Sequence, residues 1–130
     1  MRPMSRATLA TLLGLVLVGV LPATSVWAWD SSCDSGEMCN WSNGPFVAPI
    51  AASPDRDNNY SGDVYPGTSQ SLDDSVSSIK NRKTSRDVVW YFDAGYGGTP
   101  RCLNAGEEWG YLGDHNDQYS SHLIAANDTC

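Results

Sequence analysis

One pattern occurs twice in this chain, and its recurrence constrains the fold more than any other feature. Trp41-x4-Phe46-x-Ala48 runs on to Asp73-Asp74-x-x-Ser77-Ser78, and Tyr91-x4-Tyr96-x-Gly98 runs on to Asn116-Asp117-x-x-Ser120-Ser121. An aromatic pair five residues apart, followed at a distance by two acid or amide residues and a Ser-Ser, is a composite signal. Its repetition in the same order implies a duplicated supersecondary unit whose two copies complete one core. The aromatics are offset by 50 residues and the acid or amide pairs by 43, so the first copy carries an insertion of about seven residues. The polar stretch Ser53 to Asp63 is the expected place for it, as a surface loop.

The N-terminal residues are set apart by their composition. Arg2 and Arg6 precede an apolar run from Leu9 to Leu21, Pro22 breaks it, and Val26-Trp27-Ala28 offers small residues where a signal peptidase reads. This predicts a secretory signal peptide over residues 1–28, too short for a stable bilayer span. Residues 29–130 are then expected to form a single exported domain, monomeric and free of the membrane. They carry six basic against 15 acidic residues, a formal net charge of −9. Phosphate binding depends on clustered Lys and Arg. The densest basic cluster, Lys80-Asn81-Arg82-Lys83 with Arg86, is too small to outweigh the acids, which excludes nucleic acid as a partner.

Four cysteines, Cys33, Cys39, Cys102 and Cys130, fall in the exported part. An even number in a small secreted domain reads as two disulfides. Of three possible pairings, Cys33–Cys39 with Cys102–Cys130 is favoured: one closes a tight loop around Gly36, and the other ties Cys130 onto the second copy. In the chain-entropy account these loops contribute about 2 and about 3.5 kcal/mol. No Cys-x-x-Cys pair suggests a metal role.

Helical periodicity is missing beyond the signal peptide, and short strand-like runs alternate with turn residues. Strands are expected near Met38–Trp41, Phe46–Ile50, Val64–Tyr65, Val76–Lys80, Asp87–Phe92, Arg101–Leu103, Trp109–Leu112 and Ser121–Ala125. The fold class is therefore all-β, an antiparallel sandwich with Greek-key links.

The aromatic-x4-aromatic-x-Gly hairpin with its later Asn/Asp-Asn/Asp-x-x-Ser/Thr-Ser resembles the βγ-crystallin Greek-key motif, two of which make one domain. Here motif one spans about 33–84 and motif two about 85–130. The signal peptide, the Cys33…Cys39-x-Trp41 stretch and the short mature length narrow the resemblance to actinobacterial secreted protease inhibitors of the Streptomyces metalloproteinase inhibitor type. In motif one Ala48 stands where the pattern has Gly, a departure expected to cost about 1 kcal/mol if φ is positive there. The Ser of each motif is expected to bond the backbone of its folded hairpin.

The same resemblance implies calcium, the alternative being loops that are only hydrogen-bonded turns. Calcium takes six to eight oxygen ligands. Asp73, Asp74 and Ser77 form one expected set and Asn116, Asp117 and Ser120 the other, each completed by the opposing hairpin near Asp93 or Ser42.

An enzyme needs an activated nucleophile or a matched acid and base. His115 and His122 are the only histidines, His115 reads as a solvated loop residue, and Glu107-Glu108 are adjacent and point apart on a strand. The expected activity is thus inhibition of an extracellular protease, possible targets being thermolysin-like metalloproteases, rather than catalysis. Thr99-Pro100-Arg101-Cys102-Leu103 offers a stiff, disulfide-anchored loop, with Cys102–Leu103 as the proposed presented bond and Leu103 its bulky aliphatic group; the equal alternative is an ordinary strand with Leu103 in the core. The contrasting readings are a non-inhibitory, calcium-binding structural module, and a toxin of the same fold, which the acidic charge disfavours. Trp41, Trp90 and Trp109 read as core or hairpin cover, and Trp29 as the first candidate for an exposed interface aromatic.

Overall fold

The computed structural model describes residues 29–126 and 128–130; the expected signal peptide lies outside the described residues. Seven strands form: β1 (Met38–Asn43), β2 (Val47–Ser53), β3 (Ser78–Asn81), β4 (Val88–Asp93), β5 (Gly97–Leu103), β6 (Glu108–Trp109) and β7 (Ser121–Ile124). Among the described residues the one helix is a single 3-10 turn, Gly113–His115. The strands make two antiparallel sheets, ordered β2-β1-β3-β6 and β5-β4-β7.

The duplication is visible in the register. Each copy supplies a hairpin and a later strand that pairs with the hairpin's first strand, with Trp41 opposite Ser78 and Tyr91 opposite Ser121. Each copy also lends a segment to the other's sheet. Trp109 of β6 pairs with Ile79 of β3, and in return Asp57 exchanges backbone hydrogen bonds of 3.0 and 2.8 Å with His122 of β7. This reciprocal exchange completes both Greek keys and relates the copies by an approximate twofold.

The exchange corrects the reading of Ser53 to Asp63 as a surface loop. Asp57 acts there as the swapped strand, and Tyr60 is fully buried in the core. The chain must cross between sheets at this point, and burying an aromatic there outweighs the polarity of its neighbours. Val64–Tyr65, expected as a strand, is reduced to one bridge from Val64 to Ser71, because Pro66-Gly67 turns the chain back on itself. Of the expected strand Trp109–Leu112 only Trp109 is in a strand, paired from Glu108, and Leu112 turns into the core instead.

The core lies between the sheets and is rich in aromatics: Trp90, Tyr60, Tyr65 and Tyr119 pack with Met38, Leu72, Val76, Ile79, Val88 and Leu103. Burying each such aliphatic side chain contributes about 1.5–3 kcal/mol. β1 alternates as a strand must. Met38 faces this core, whereas Cys39 and Trp41 face outward into a second cluster with Cys33, Phe46, Ile50 and Ala52. The disulfides are Cys33–Cys39 and Cys102–Cys130, the favoured pairing. Trp29 departs from expectation: it is half-buried, edge-on to Tyr60 at 5.6 Å, and its indole N–H donates to Asp63 at 3.3 Å.

Candidate functional site

The two hairpins are built alike. In the first, Trp41 and Phe46 meet edge to face with ring centres 5.1 Å apart; in the second, Tyr91 and Tyr96 meet at 5.8 Å. Folding the hairpin over its sheet puts the second aromatic in the left-handed region, with φ of 57° at Phe46 and 63° at Tyr96. Such a conformation persists only where the surroundings hold it. Here one serine pins each hairpin. Ser78 Oγ donates to the Asn43 carbonyl at 2.9 Å and accepts from the Phe46 N–H at 3.0 Å. Ser121 Oγ donates to the Asp93 carbonyl at 2.7 Å and accepts from the Tyr96 N–H at 3.2 Å.

The glycine position differs between them. Gly98 has φ of +72°, and a Cβ there would lie 2.8 Å from Asp93 Oδ2. Ala48 has no positive φ, so the penalty expected for it does not arise.

The acid-serine loops meet across the twofold rather than within each motif. The Asp74 N–H donates to the Tyr119 carbonyl at 3.1 Å, and the Asp117 N–H to the Val76 carbonyl at 3.0 Å. Ser120 Oγ donates to Asp74 at 3.3 Å, and Ser77 Oγ to Asp117 at 3.2 Å. The expected groupings are therefore crossed: Asp74 goes with Ser120, and Asp117 with Ser77. Asp73, Asp74, Asp93 and Ser120, with Asn59 and Ser61, line one shallow pocket of about 390 Å³. Burial, and then the neighbouring Asp73 carboxylate, raise the Asp74 carboxyl above its ordinary value. One buried carboxylate oxygen of Asp73 has no hydrogen-bond partner. Asn116 is exposed beside the 3-10 turn. Among the described residues no three His, Cys, Asp or Glu side chains form a metal-holding group. The donors gathered here are all oxygen, which fits calcium and not zinc.

The expected reactive bond is corrected. Arg101, Cys102 and Leu103 lie within β5, opposite Trp90, Val89 and Val88. Leu103 is fully buried in the core, so the Cys102–Leu103 bond is not offered to a protease cleft. Arg101 lays its guanidinium over Trp109, 3.4 Å from the ring centre. The strand alternation that buries Val88 and Leu103 against one another is the cause, and it outranks the disulfide at Cys102.

The histidines serve the fold. His115 packs on Phe92 with ring centres 4.8 Å apart and hydrogen-bonds Tyr119 at 3.2 Å, so it is less solvated than expected. His122 is fully buried, bonded to the Tyr60 hydroxyl at 2.8 Å and the Asp55 carbonyl at 2.6 Å. Burial pulls its pKa down to about 4.

Two crossed Greek keys with pinned hairpins define a βγ-crystallin-type domain, and known structures agree. A βγ-crystallin domain studied for the evolution of the eye-lens fold matches with a TM-score of 0.63 at 19% identity, covering 78% of this chain and 98% of its own. Spherulin 3a from Physarum polycephalum matches at 0.58, 19%, 78% and 96%, and a βγ-crystallin domain from Flavobacterium johnsoniae at 0.56, 20%, 72% and 98%. Identities this low speak for the fold alone. No curated protein matches the chain. Residues 28–103 match peptidase inhibitor family I36, and the chain belongs to that family.

Proposed function

We propose that the protein is exported and acts outside the cell as an inhibitor of a thermolysin-like metalloprotease, catalysing no reaction of its own. The match of residues 28–103 to peptidase inhibitor family I36 carries this reading. The architecture supports it. An inhibitor must offer a substrate-like surface whose ordering cost has been met before binding. Two disulfides and two serine-pinned hairpins fix this surface in advance. The test is inhibition of thermolysin and subtilisin by the protein purified from the medium, at constant calcium. Inhibition of thermolysin is expected; a folded protein that inhibits neither enzyme overturns the reading.

A second reading, a calcium-binding structural module, is favoured by the crossed Asp74–Ser120 and Asp117–Ser77 pairs and by the unpartnered Asp73 oxygen. Asp73, Asp74 and Ser120 would hold one ion, and Asp117 and Ser77 another. A bound cation would relieve the repulsion among these carboxylates. Calcium-dependent melting without protease inhibition distinguishes this reading from the first.

A further inference from the structure

The approximate twofold gives each surface residue a counterpart, and one pair of counterparts is sharply unequal. The hairpin joining β1 to β2 reads Gly44-Pro45-Phe46-Val47-Ala48, whereas the one joining β4 to β5 reads Ala94-Gly95-Tyr96-Gly97-Gly98. Each hairpin leans on a segment of the other copy. The first lies against Gly110-Tyr111: a Cβ on Gly44 would come 2.7 Å from the Gly110 carbonyl oxygen and 3.2 Å from the Tyr111 ring, and one on Gly110 would come 3.1 Å from Pro45. The second lies against Asn58, whose carbonyl accepts from the Gly95 N–H at 2.6 Å. Since Trp109 and Asp57 are counterparts in the strand exchange, Tyr111 corresponds to Asn59, and Val47 to Gly97.

One side of the molecule is thus small and polar, the other apolar. Val47 is 52% exposed and Tyr111 73% exposed, two of the three large apolar side chains so exposed among the described residues. No charged residue occurs from Met38 to Pro54, the longest such run among the described residues of an acidic chain. Lys80 sits over the Phe46 ring at 4.8 Å and is paired with Glu108. The fold makes the same demands on both hairpins, so it does not account for the apolar set on one of them. Exposed apolar side chains gathered on one face, unlike those scattered singly, mark an interaction site.

The strand behind this hairpin also has an open edge. β2 is the outer strand of its sheet, and Asp30 pairs with Ala52 at its far end through bonds of 3.0 and 2.9 Å. With the two-residue period of a strand, Ile50 turns its N–H and C=O to the same outward side as Ala52. An extended segment with free backbone groups is the form in which a partner adds a strand, with side-chain pockets giving specificity.

We infer that the hairpin Pro45–Ala48 with Tyr111, backed by the free edge of β2, is the surface that enters the substrate cleft of the target protease, with Val47 as the aliphatic anchor. This rests on the inhibitor reading and replaces the Cys102–Leu103 bond as its point of contact. The experiment compares inhibition constants, against a protease that the unaltered protein inhibits, for Val47→Asp, Tyr111→Asp and the control Thr99→Asp at an exposed position of β5. The first two are expected to weaken inhibition by about thirtyfold or more, and the control to change it by less than about threefold. All three should melt with the parent, since the positions are exposed. Parent-like inhibition by Val47→Asp and Tyr111→Asp, or loss with Thr99→Asp alone, overturns the assignment and leaves the inhibitor reading intact. A parent protein that inhibits no protease overturns both.

Discussion

The Tyr60 hydroxyl donates to Nδ1 of His122 across 2.8 Å, joining the crossover segment of one motif to the last strand of the other. The bond belongs to a directed chain. The Trp90 indole N–H donates to Asn40 Oδ1 at 2.8 Å, Asn40 Nδ2 donates to the Tyr60 oxygen at 3.4 Å, and His122 Nε2 reaches the Asp55 carbonyl at 2.6 Å. Only neutral His122, protonated on Nε2, satisfies every partner.

Tyr60→Phe keeps the ring and removes the link, leaving His122 Nδ1 and an Asn40 N–H buried without partners. A stability loss of about 1–3 kcal/mol is expected from denaturant unfolding. A variant as stable as the parent would show the chain to be incidental.

The same chain sets an acid limit. The folded pKa of His122 is lowered to about 4 from 6.5, so the unfolded state binds the extra proton first as pH falls. Its contribution is complete above pH 6.5 and is lost on descending to pH 4, a change of about 3 kcal/mol. Asp63 acts oppositely. Burial and then Asp57 raise its pKa to about 6 from 3.8, so its contribution is complete below 3.8 and lost as pH rises towards 6. Asp63 is only half-buried, so solvent screens it and its effect is the smaller. Melting temperature is therefore expected to fall between pH 6.5 and 4, and the slope to shrink in His122→Gln.

Gly98→Ala should destabilise by about 1–2 kcal/mol, because φ is positive there and the added methyl meets Asp93. The counterpart Ala48→Gly gains nothing, as Ala48 has no positive φ to relieve, and loses slightly through chain entropy. Equal effects at both positions in thermal melts would contradict the difference between the hairpins.

Calcium at about a hundred times its dissociation constant is expected to raise stability by about 2.7 kcal/mol. With an affinity on the order of 10⁻⁴ M, as in extracellular modules, that requires about 10 mM. Asp74→Asn combined with Asp117→Asn should abolish the shift. A parent melting curve unmoved by calcium would remove the second functional reading.

The repeated spacing of Trp41, Phe46 and Ser78 with Tyr91, Tyr96 and Ser121 was enough to determine a duplicated all-β domain and its pinned hairpins, because those contacts lie within one motif and recur at fixed offsets. The disulfide pairing was legible for a similar reason: few cysteines leave few pairings. Tertiary structure decided what depends on the relation between copies. Asp74 finds Ser120 and not Ser77, Asp57 pairs with His122, and Tyr60 leaves a polar stretch for the core. It also decided that Leu103 is buried while Val47 and Tyr111 are exposed. An apolar residue in a strand has the same local signature on either face, and only the packing of the second sheet tells the inner from the outer.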